Sequence, residues 1–300
     1  MNLNPDISII ILNYNGLKDT EELLRSLVLN TKGNYEVILV DNGSTVDEGQ
    51  ILLKTHSGIT CIRTEKNLGF AGGNNTGIRK SRGRYFLLLN NDTVLEDDSV
   101  NKMAKFMEEN PVIGALSPKL LYNDPVKTIQ YAGFTKLSRI TLRNKCIGNR
   151  QPDSGQYMTP VRTAYTHGAA MMVRREVVEK AGDMEEDYFL YYEELDWCER
   201  IRNSGYEIWY YPYASVIHKE SRSTGKNSAA KRYYMTRNRL IFASRHRKGT
   251  IKAAAILYQI FIASTAGIIR SLSQGRVDLA GATISGIRDF IMKKYGQWQR

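Results

Sequence analysis

Tyr85-Phe86-Leu87-Leu88-Leu89-Asn90-Asn91-Asp92 is the stretch whose reading decides the fold. Five apolar residues in a row, ended by two amides and a carboxylate, predict a strand buried on both faces. Such strands belong to α/β sheets, which bind ligands beyond the carboxyl ends of their strands, so Asp92 is expected at a ligand-holding edge. The same residues also suit a capped turn, because Asn-Asn-Asp-Thr ahead of Glu96, Asp97 and Asp98 is a helix-start pattern.

Two earlier runs repeat the pattern. Residues 7–12 are apolar and stop at Asn13-Tyr14-Asn15-Gly16, and residues 35–40 stop at Asp41-Asn42-Gly43-Ser44. Between them, Leu23, Leu24, Leu27 and Val28 recur at helical spacing. The Asn-Gly pair at 42–43 would suit a hairpin, but its continuously apolar flank and the helical Ile51-Leu52-Leu53 that follow favour a βαβ unit. A third strand is expected at 59–63, then a glycine-rich loop at 67–77 leading into a basic helix at 78–82. If these strands are parallel, their polar ends gather along one edge of the sheet. Downstream, the pattern predicts a helix at 99–109, a strand at 113–122, a loop-rich insertion at 123–160 and a strand at 168–173. The aromatic stretch 188–192, the run Glu193-Glu194-Leu195-Asp196-Trp197 and two short strands, 207–211 and 214–217, lead to His218.

The chain has 300 residues, 42% hydrophobic and 24% charged, enough for one large domain or one domain with an appendage. The composition changes near residue 228, dividing a domain at 1–227 from a basic and apolar helical tail at 228–300. A net charge of +11 asks for an acidic partner: nucleic acid, an anionic membrane face or a phosphorylated substrate. No nucleic-acid motif is present, and the cations cluster in the tail instead. Residues 253–269 carry no charge between Lys252 and Arg270, yet fall short of the roughly 20 apolar residues that cross a bilayer. A helix lying on an anionic membrane surface is therefore expected, with a packing helix or an oligomer contact as alternatives. Cys61, Cys146 and Cys198 lack zinc-ligand spacing and suggest reduced thiols in the cytoplasm. The start of the chain lacks the basic region and long apolar stretch of a signal peptide.

Several residues carry possible chemistry. Asp41 can accept hydrogen bonds from a base or ribose, or can simply stabilise its turn. The glycines at 69, 72 and 73 allow backbone amides to approach a phosphate, although the spacing is neither a Rossmann fingerprint nor a P-loop. Glu193, Glu194 and Asp196 suit the positive end of a helix, but crowded and partly buried carboxylates also make a general base. His218 can ligate a metal or sit in a hydrogen-bonded turn.

Taken together, these segments resemble the family 2 nucleotide-sugar glycosyltransferases, and most closely their rhamnosyltransferase-like branch. The resemblance rests on five markers in order: Val40-Asp41-Asn42-Gly43-Ser44, Asn67-Leu68-Gly69-Phe70-Ala71-Gly72-Gly73-Asn74, Leu89-Asn90-Asn91-Asp92, Glu193-Glu194-Leu195-Asp196-Trp197 and Val216-Ile217-His218. It implies an α/β GT-A fold, with a Rossmann-like nucleotide-binding half and a mixed central sheet, followed here by a C-terminal helical extension. It implies inverting transfer of a sugar, with L-rhamnose from dTDP-rhamnose as the best fit, to a lipid-linked or polysaccharide acceptor in cell-surface glycan synthesis. A UDP-hexose, UDP-GlcNAc or GDP-mannose donor on the same scaffold, or a non-catalytic subunit of a polysaccharide complex, are the alternatives. By the same resemblance, Asp41 holds the base with Asn13 and Asn15 nearby, while Asn67, Gly69, Asn74 and Asn91 line the sugar-nucleotide pocket. Asp92 and His218 bind Mg²⁺ or Mn²⁺, and Glu194 is the base, supported by Glu193 and Asp196. Asn90 stands where many relatives carry another acid, so the cation should depend more on the diphosphate itself. Arg222 and Arg237 are candidates for the acceptor's diphosphate. The expected location is cytoplasmic, peripheral on the inner membrane face, with homo-oligomerisation open.

Overall fold

The computed structural model describes residues 5–220 and 228–299. The first half alternates strand and helix: β1 (Ile7–Asn13), α1 (Leu17–Asn30), β2 (Tyr35–Asp41), α2 (Glu48–Leu53), β3 (Ile59–Arg63), α3 (Gly69–Lys80) and β4 (Tyr85–Asn90). β5 (Thr93–Leu95), α4 (Ser99–Glu109), β6 (Ile113–Tyr122), β7 (Ile129–Tyr131), β8 (Val161–Arg162) and β9 (Ala170–Arg174) follow. Next come α5 (Arg175–Ala181), α6 (Glu193–Asn203) and β10 (Glu207–His218). The C-terminal region holds α7 (Ala229–His246), α8 (Gly249–Leu257), α9 (Thr265–Ser273) and α10 (Val277–Ile291), with a π-helical segment, Tyr258–Ser264, joining α8 to α9.

The strands form one mixed sheet in the order β3-β2-β1-β4-β9-β6-β10-β5, with β7 beside β6 and β8 beside β10. β3, β2, β1 and β4 are parallel, and β9 runs against both β4 and β6. The register levels the polar strand ends: Asn13 pairs with Asp41, and Leu12 with Asn90. The expected gathering of turns along one edge is therefore present.

The apolar runs are continuous because helices cover both faces. Ile9, Ile11, Leu87 and Leu89 pack on the face that buries Leu23, Leu24 and Leu27 of α1 with Met103 and Met107 of α4. Ile10, Phe86 and Leu88 point the other way, onto Ile78 of α3 and Trp197 and Ile201 of α6. That alternation is the ordinary consequence of the two-residue strand period.

Three sequence expectations change. Residues 69–80 are helix rather than loop. The glycines let α3 approach the sheet: a Cβ on Gly77 would stand 2.4 Å from Cγ2 of buried Ile10. The expected strands at 207–211 and 214–217 are one strand, β10, with a register shift between Tyr211 and Ser215 around Pro212. Proline cannot donate to a ladder, so the irregularity falls where the sequence requires it. The insertion at 123–160 contains β7, whose Ile129 and Tyr131 are fully buried.

Nor is the boundary at 227/228 a structural divide. Ile241, Phe242 and Ala243 of α7 belong to the same buried cluster as Phe86 and Trp197. The expected surface helix is part of an unbroken 25-residue helical run, Gly249–Ser273, with a mean hydropathy of 1.5 in its most apolar window. By length and composition it is long enough to cross a membrane, contrary to the estimate from its uncharged core alone.

The close approach of α3 makes a direct prediction. Gly77→Ala should destabilise the protein by about 1–3 kcal/mol, read as a lower urea midpoint at unchanged m value, because overpacking displaces Ile10.

Candidate active site

The strand ends of β1, β2 and β4 carry a network of short polar side chains. Asn13 is fully buried at the end of β1. Its Oδ1 accepts from Thr20 Oγ1 (2.8 Å) and Asn91 Nδ2 (3.3 Å), and its Nδ2 donates to Glu48 Oε2 (2.8 Å). Glu48 also accepts from the Gly16 amide at 2.9 Å, a role invisible in the sequence because α2 lies 35 residues from Asn13. Asn15 is exposed, with φ of 51°, and its Oδ1 accepts from the Thr45 amide at 2.9 Å. Asp41 is fully enclosed, accepting from the Ser44 amide (3.2 Å) and lying 3.6 Å from Arg63. Of the two readings of Asp41, the structure displays turn stabilisation; its carboxylate has no exposed face here.

The next turn is locked by Asn42 and Asn67. Asn42 Nδ2 donates to Asn67 Oδ1 (3.1 Å) and Gly69 O (3.1 Å), while Asn67 Oδ1 accepts from the Gly69 amide (2.8 Å). Gly69 has φ of +75°, and a Cβ there would sit 2.2 Å from Phe189 O. Only glycine allows this approach, which brings the acid-bearing segment against the start of α3 through a Phe70 N–H bond to Phe189 O at 2.7 Å. Asn74 faces inward, 1% exposed, and bonds Phe70 O within its own helix.

Asp92 and His218 meet at the end of β10, with Asp92 Oδ1 3.2 Å from His218 Nε2. His218 Nδ1 lies 2.8 Å from Gln130 Oε1, a partner supplied by β7. With Nδ1 donating to Gln130, the Nε2 lone pair faces a carboxylate oxygen, an arrangement that calls for a cation or proton between them. These two donors suit a hard divalent ion. Among the described residues no group of three or more His, Cys, Asp or Glu could hold a metal, so further ligands must come from substrate or water. His167, which the sequence reading missed, packs edge-on to His218 with ring centroids 6.0 Å apart. Burial, with the charge of His218, pushes its pKa down to about 3, so it is a neutral wall of the site.

The acid run begins α6 as expected. Glu193 is 3% exposed and its Oε2 has no hydrogen-bond partner. Burial first, then the neighbouring Glu194 charge, pushes its carboxyl well above the usual carboxylate range. Burial also raises half-buried Glu194, against the pull of the amides at the helix start. Asp196 differs. Burial acts to raise it, but His246 Nε2 at 2.6 Å and Arg200 Nε at 2.8 Å prevail and hold it low. Asp196 is thus a fixed ion-pair partner, not a proton acceptor, and its place in the expected catalytic trio becomes structural. The helix connects to the cation pair through Cys198, whose Sγ lies 3.3 Å from Thr166 Oγ1, next to His167.

Arg237 is not the acceptor ligand expected from the sequence. It is fully buried, and its guanidinium reaches Asp187 O (3.1 Å), Tyr188 O (3.0 Å), Gly296 O (2.7 Å), Tyr233 OH (3.1 Å) and Asn238 Oδ1 (3.0 Å). Asn238 Nδ2 donates to Tyr188 O (2.9 Å), Leu190 O (2.8 Å) and Tyr191 O (2.8 Å). Together they grip the segment before Glu193. Arg222 lies outside the described residues.

A mixed α/β sheet whose polar strand ends share one edge, with an Asp–His pair and a raised-pKa acid pair, fits a transferase. Residues 8–182 match the model of Glycosyl transferase family 2, and the chain belongs to that family. It is 26% identical over 302 residues to the low-salt glycan biosynthesis hexosyltransferase Agl10 of Haloferax volcanii, covering 98% of this chain and 94% of that protein. It is 25% identical over 251 residues to the N-acetylglucosaminyl-diphospho-decaprenol L-rhamnosyltransferase of Mycobacterium tuberculosis, covering 75% and 79%. Among solved structures it resembles the mannosyltransferase PcManGT of Pyrobaculum calidifontis, determined with GDP-Man and Mn²⁺. That likeness has a TM-score of 0.60 at 16% identity, covering 98% of this chain and 89% of that one.

Two outcomes test this site. Glu193 binds more protons folded than unfolded, so its carboxyl favours folding in acid and opposes it as pH rises above the unfolded value of 4.5. Glu193→Gln should therefore stabilise the protein by about 1–2 kcal/mol in mildly alkaline buffer, with the gain shrinking towards acid pH in thermal melts. Asn238→Leu should cost about 2–4 kcal/mol and lower sugar transfer at least tenfold, checked by urea unfolding and initial rates.

Proposed function

We propose that this glycosyltransferase inverts configuration while moving L-rhamnose from dTDP-rhamnose to a lipid-linked saccharide. The observation carrying the mechanism is the acid pair at the start of α6, whose burial makes Glu194 a better proton acceptor than an exposed carboxylate. The acceptor hydroxyl attacks the anomeric carbon as Glu194 takes its proton, and the bond to the nucleotide diphosphate breaks on the opposite face. Glu193 supports Glu194 by keeping its surroundings dry. Asn13, Asn15, Asp41, Asn67, Gly69 and Asn91 shape the nucleotide edge; Asn15 offers an exposed contact, the others set the turns. Asp92 and His218 would hold Mg²⁺ or Mn²⁺, which supplies Lewis-acid stabilisation of the departing diphosphate.

Rhamnose and the lipid-linked acceptor are supported by the name of the mycobacterial relative, the metal by that of the archaeal mannosyltransferase structure. A membrane-surface location is supported by the C-terminal helices. α9 packs on α10 while Leu257, Phe261, Ile262, Ile269 and Leu272 stay exposed, giving the helical run one packed and one apolar open face.

A donor screen by thermal shift and hydrolysis, with and without Mn²⁺, tests the proposal. dTDP-rhamnose should stabilise both wild type and Glu194→Gln. Turnover by the variant should fall about 10²–10⁴-fold. Full activity of Glu194→Gln sinks the base assignment, preference for a UDP-sugar or GDP-mannose sinks the donor, and binding of no nucleotide sugar sinks the reading altogether.

A further inference from the structure

A cavity of about 400 Å³ opens where the C-terminal helices meet the second half of the sheet domain. Lys136, Arg139, Arg202, Arg247 and Lys248 line it, with Glu199 as its one carboxylate. Glu199 is already occupied, by Arg202 at 2.9 Å and by the Tyr165 hydroxyl at 2.7 Å. Among the described residues, none of the other four cations has a carboxylate within ion-pair distance, although the chain carries many surface acids. The cations come from three separate segments brought together by the fold. Arg247 Nε donates to Arg139 O at 3.2 Å, tying the α7–α8 link to the insertion, and Arg202 lies near the C-terminal end of α6. Like charges do not collect in a concave site without cost, and a bound polyanion offsets that cost.

We infer that this cavity binds a phosphate or diphosphate group carried on a lipid, the diphosphate of the lipid-linked acceptor being the occupant that suits the enzyme's reaction. The inference rests on the acceptor class proposed above. Three placements support it. Glu199 in the cavity and Glu194 belong to the same helix, roughly 7–8 Å apart along its axis, so the cavity and the acid pair share one rigid element. His246 lines the cavity and bonds Asp196 of that helix at 2.6 Å. Ile251 of α8 forms part of the wall, so the cavity adjoins the start of the apolar helical run Gly249–Ser273. The site also supplies what buried Arg237 cannot: guanidinium and ammonium groups with open coordination for phosphate oxygens.

The test uses the full chain in EDTA without nucleotide, so that the cation site does not capture diphosphate. Sedimentation with phosphatidylcholine vesicles is compared with the same vesicles containing polyprenyl diphosphate or phosphatidylglycerol. Lys136, Arg139 and Lys248 are exposed, and replacing all three with Ser should leave the donor-induced thermal shift unchanged. The triple variant should bind the diphosphate vesicles about a hundredfold more weakly than wild type. A loss confined to those vesicles assigns the cavity to the acceptor lipid; an equal loss on phosphatidylglycerol assigns it to headgroup phosphates. Unchanged binding of the variant to every vesicle overturns the inference. A wild type showing no shift with any nucleotide sugar would instead overturn the transfer reaction, leaving the vesicle result standing.

Discussion

The acid pair depends on a backbone that cannot hold itself. Phe189, Tyr191 and Tyr192 have φ of 63°, 70° and 82°, in the left-handed region that costs a side-chain-bearing residue about 1–2 kcal/mol. The segment also turns the carbonyls of Tyr188, Leu190 and Tyr191 away from any regular ladder. Asn238 Nδ2 lies within 2.9 Å of all three and shares its two hydrogens among them, and Arg237 adds two more donors to Asp187 and Tyr188. A buried guanidinium is tolerable because its donors are satisfied, one of them by Gly296 near the chain's end. Removing the C-terminal helices would therefore release Glu193 and Glu194 from their geometry. What looks like an appendage in the sequence is part of the machinery that presents the acids.

The same site separates carboxylates by their surroundings. Asp196, between Arg200 and His246, stays charged and anchors α6. Glu193, three residues away in sequence, has an oxygen with no hydrogen-bond partner and resists ionisation. Glu194 sits between these extremes, half-buried and touched by amides. At the end of β10, Asp92 Oδ1 lies 3.2 Å from His218 Nε2, a carboxylate paired with an imidazole rather than with a guanidinium. Neighbouring carboxylates on one helix are thereby pushed in opposite directions by their surroundings, Glu193 and Glu194 upward and Asp196 downward.

Much of this was legible before any coordinates. The unbroken apolar run at 85–89 and the polar ends of three strands identify a doubly covered parallel sheet, and the register levels those ends as the sequence reading requires. The acid run starts a helix for the reason its composition suggests. The misreadings have physical causes. Gly69, Gly72, Gly73 and Gly77 are poor helix formers, so α3 reads as a loop; close approach explains them instead, Gly73 and Gly77 against Leu12 and Ile10 of the sheet and Gly69 against Phe189. Pro212 splits β10 in the sequence, whereas the fold absorbs it as a register shift. Arg237 reads as a surface cation because burial of an arginine depends on carbonyls some 50 residues away. Glu48, Gln130, His167 and Asn238 carry no local signal at all.

The C-terminal region closes the physical account. An apolar helix in water should bury its apolar side, yet only 17% of the most apolar window of Gly249–Ser273 is buried. α10 covers one flank and is itself held by α7, so the run is docked along the protein rather than projecting from it. Docking of this kind leaves the opposite flank, with Phe261 at 66% and Ile269 at 62% exposed, facing outward over an area that water alone does not favour. Basic residues stand at the ends of the run, Lys252 near its start and Arg270 near its finish. An apolar stripe between cationic ends matches the acyl boundary and anionic headgroups of a membrane surface. Through α7 the same run is tied to the segment before Glu193, so whatever covers the open apolar flank is mechanically coupled to the acid pair.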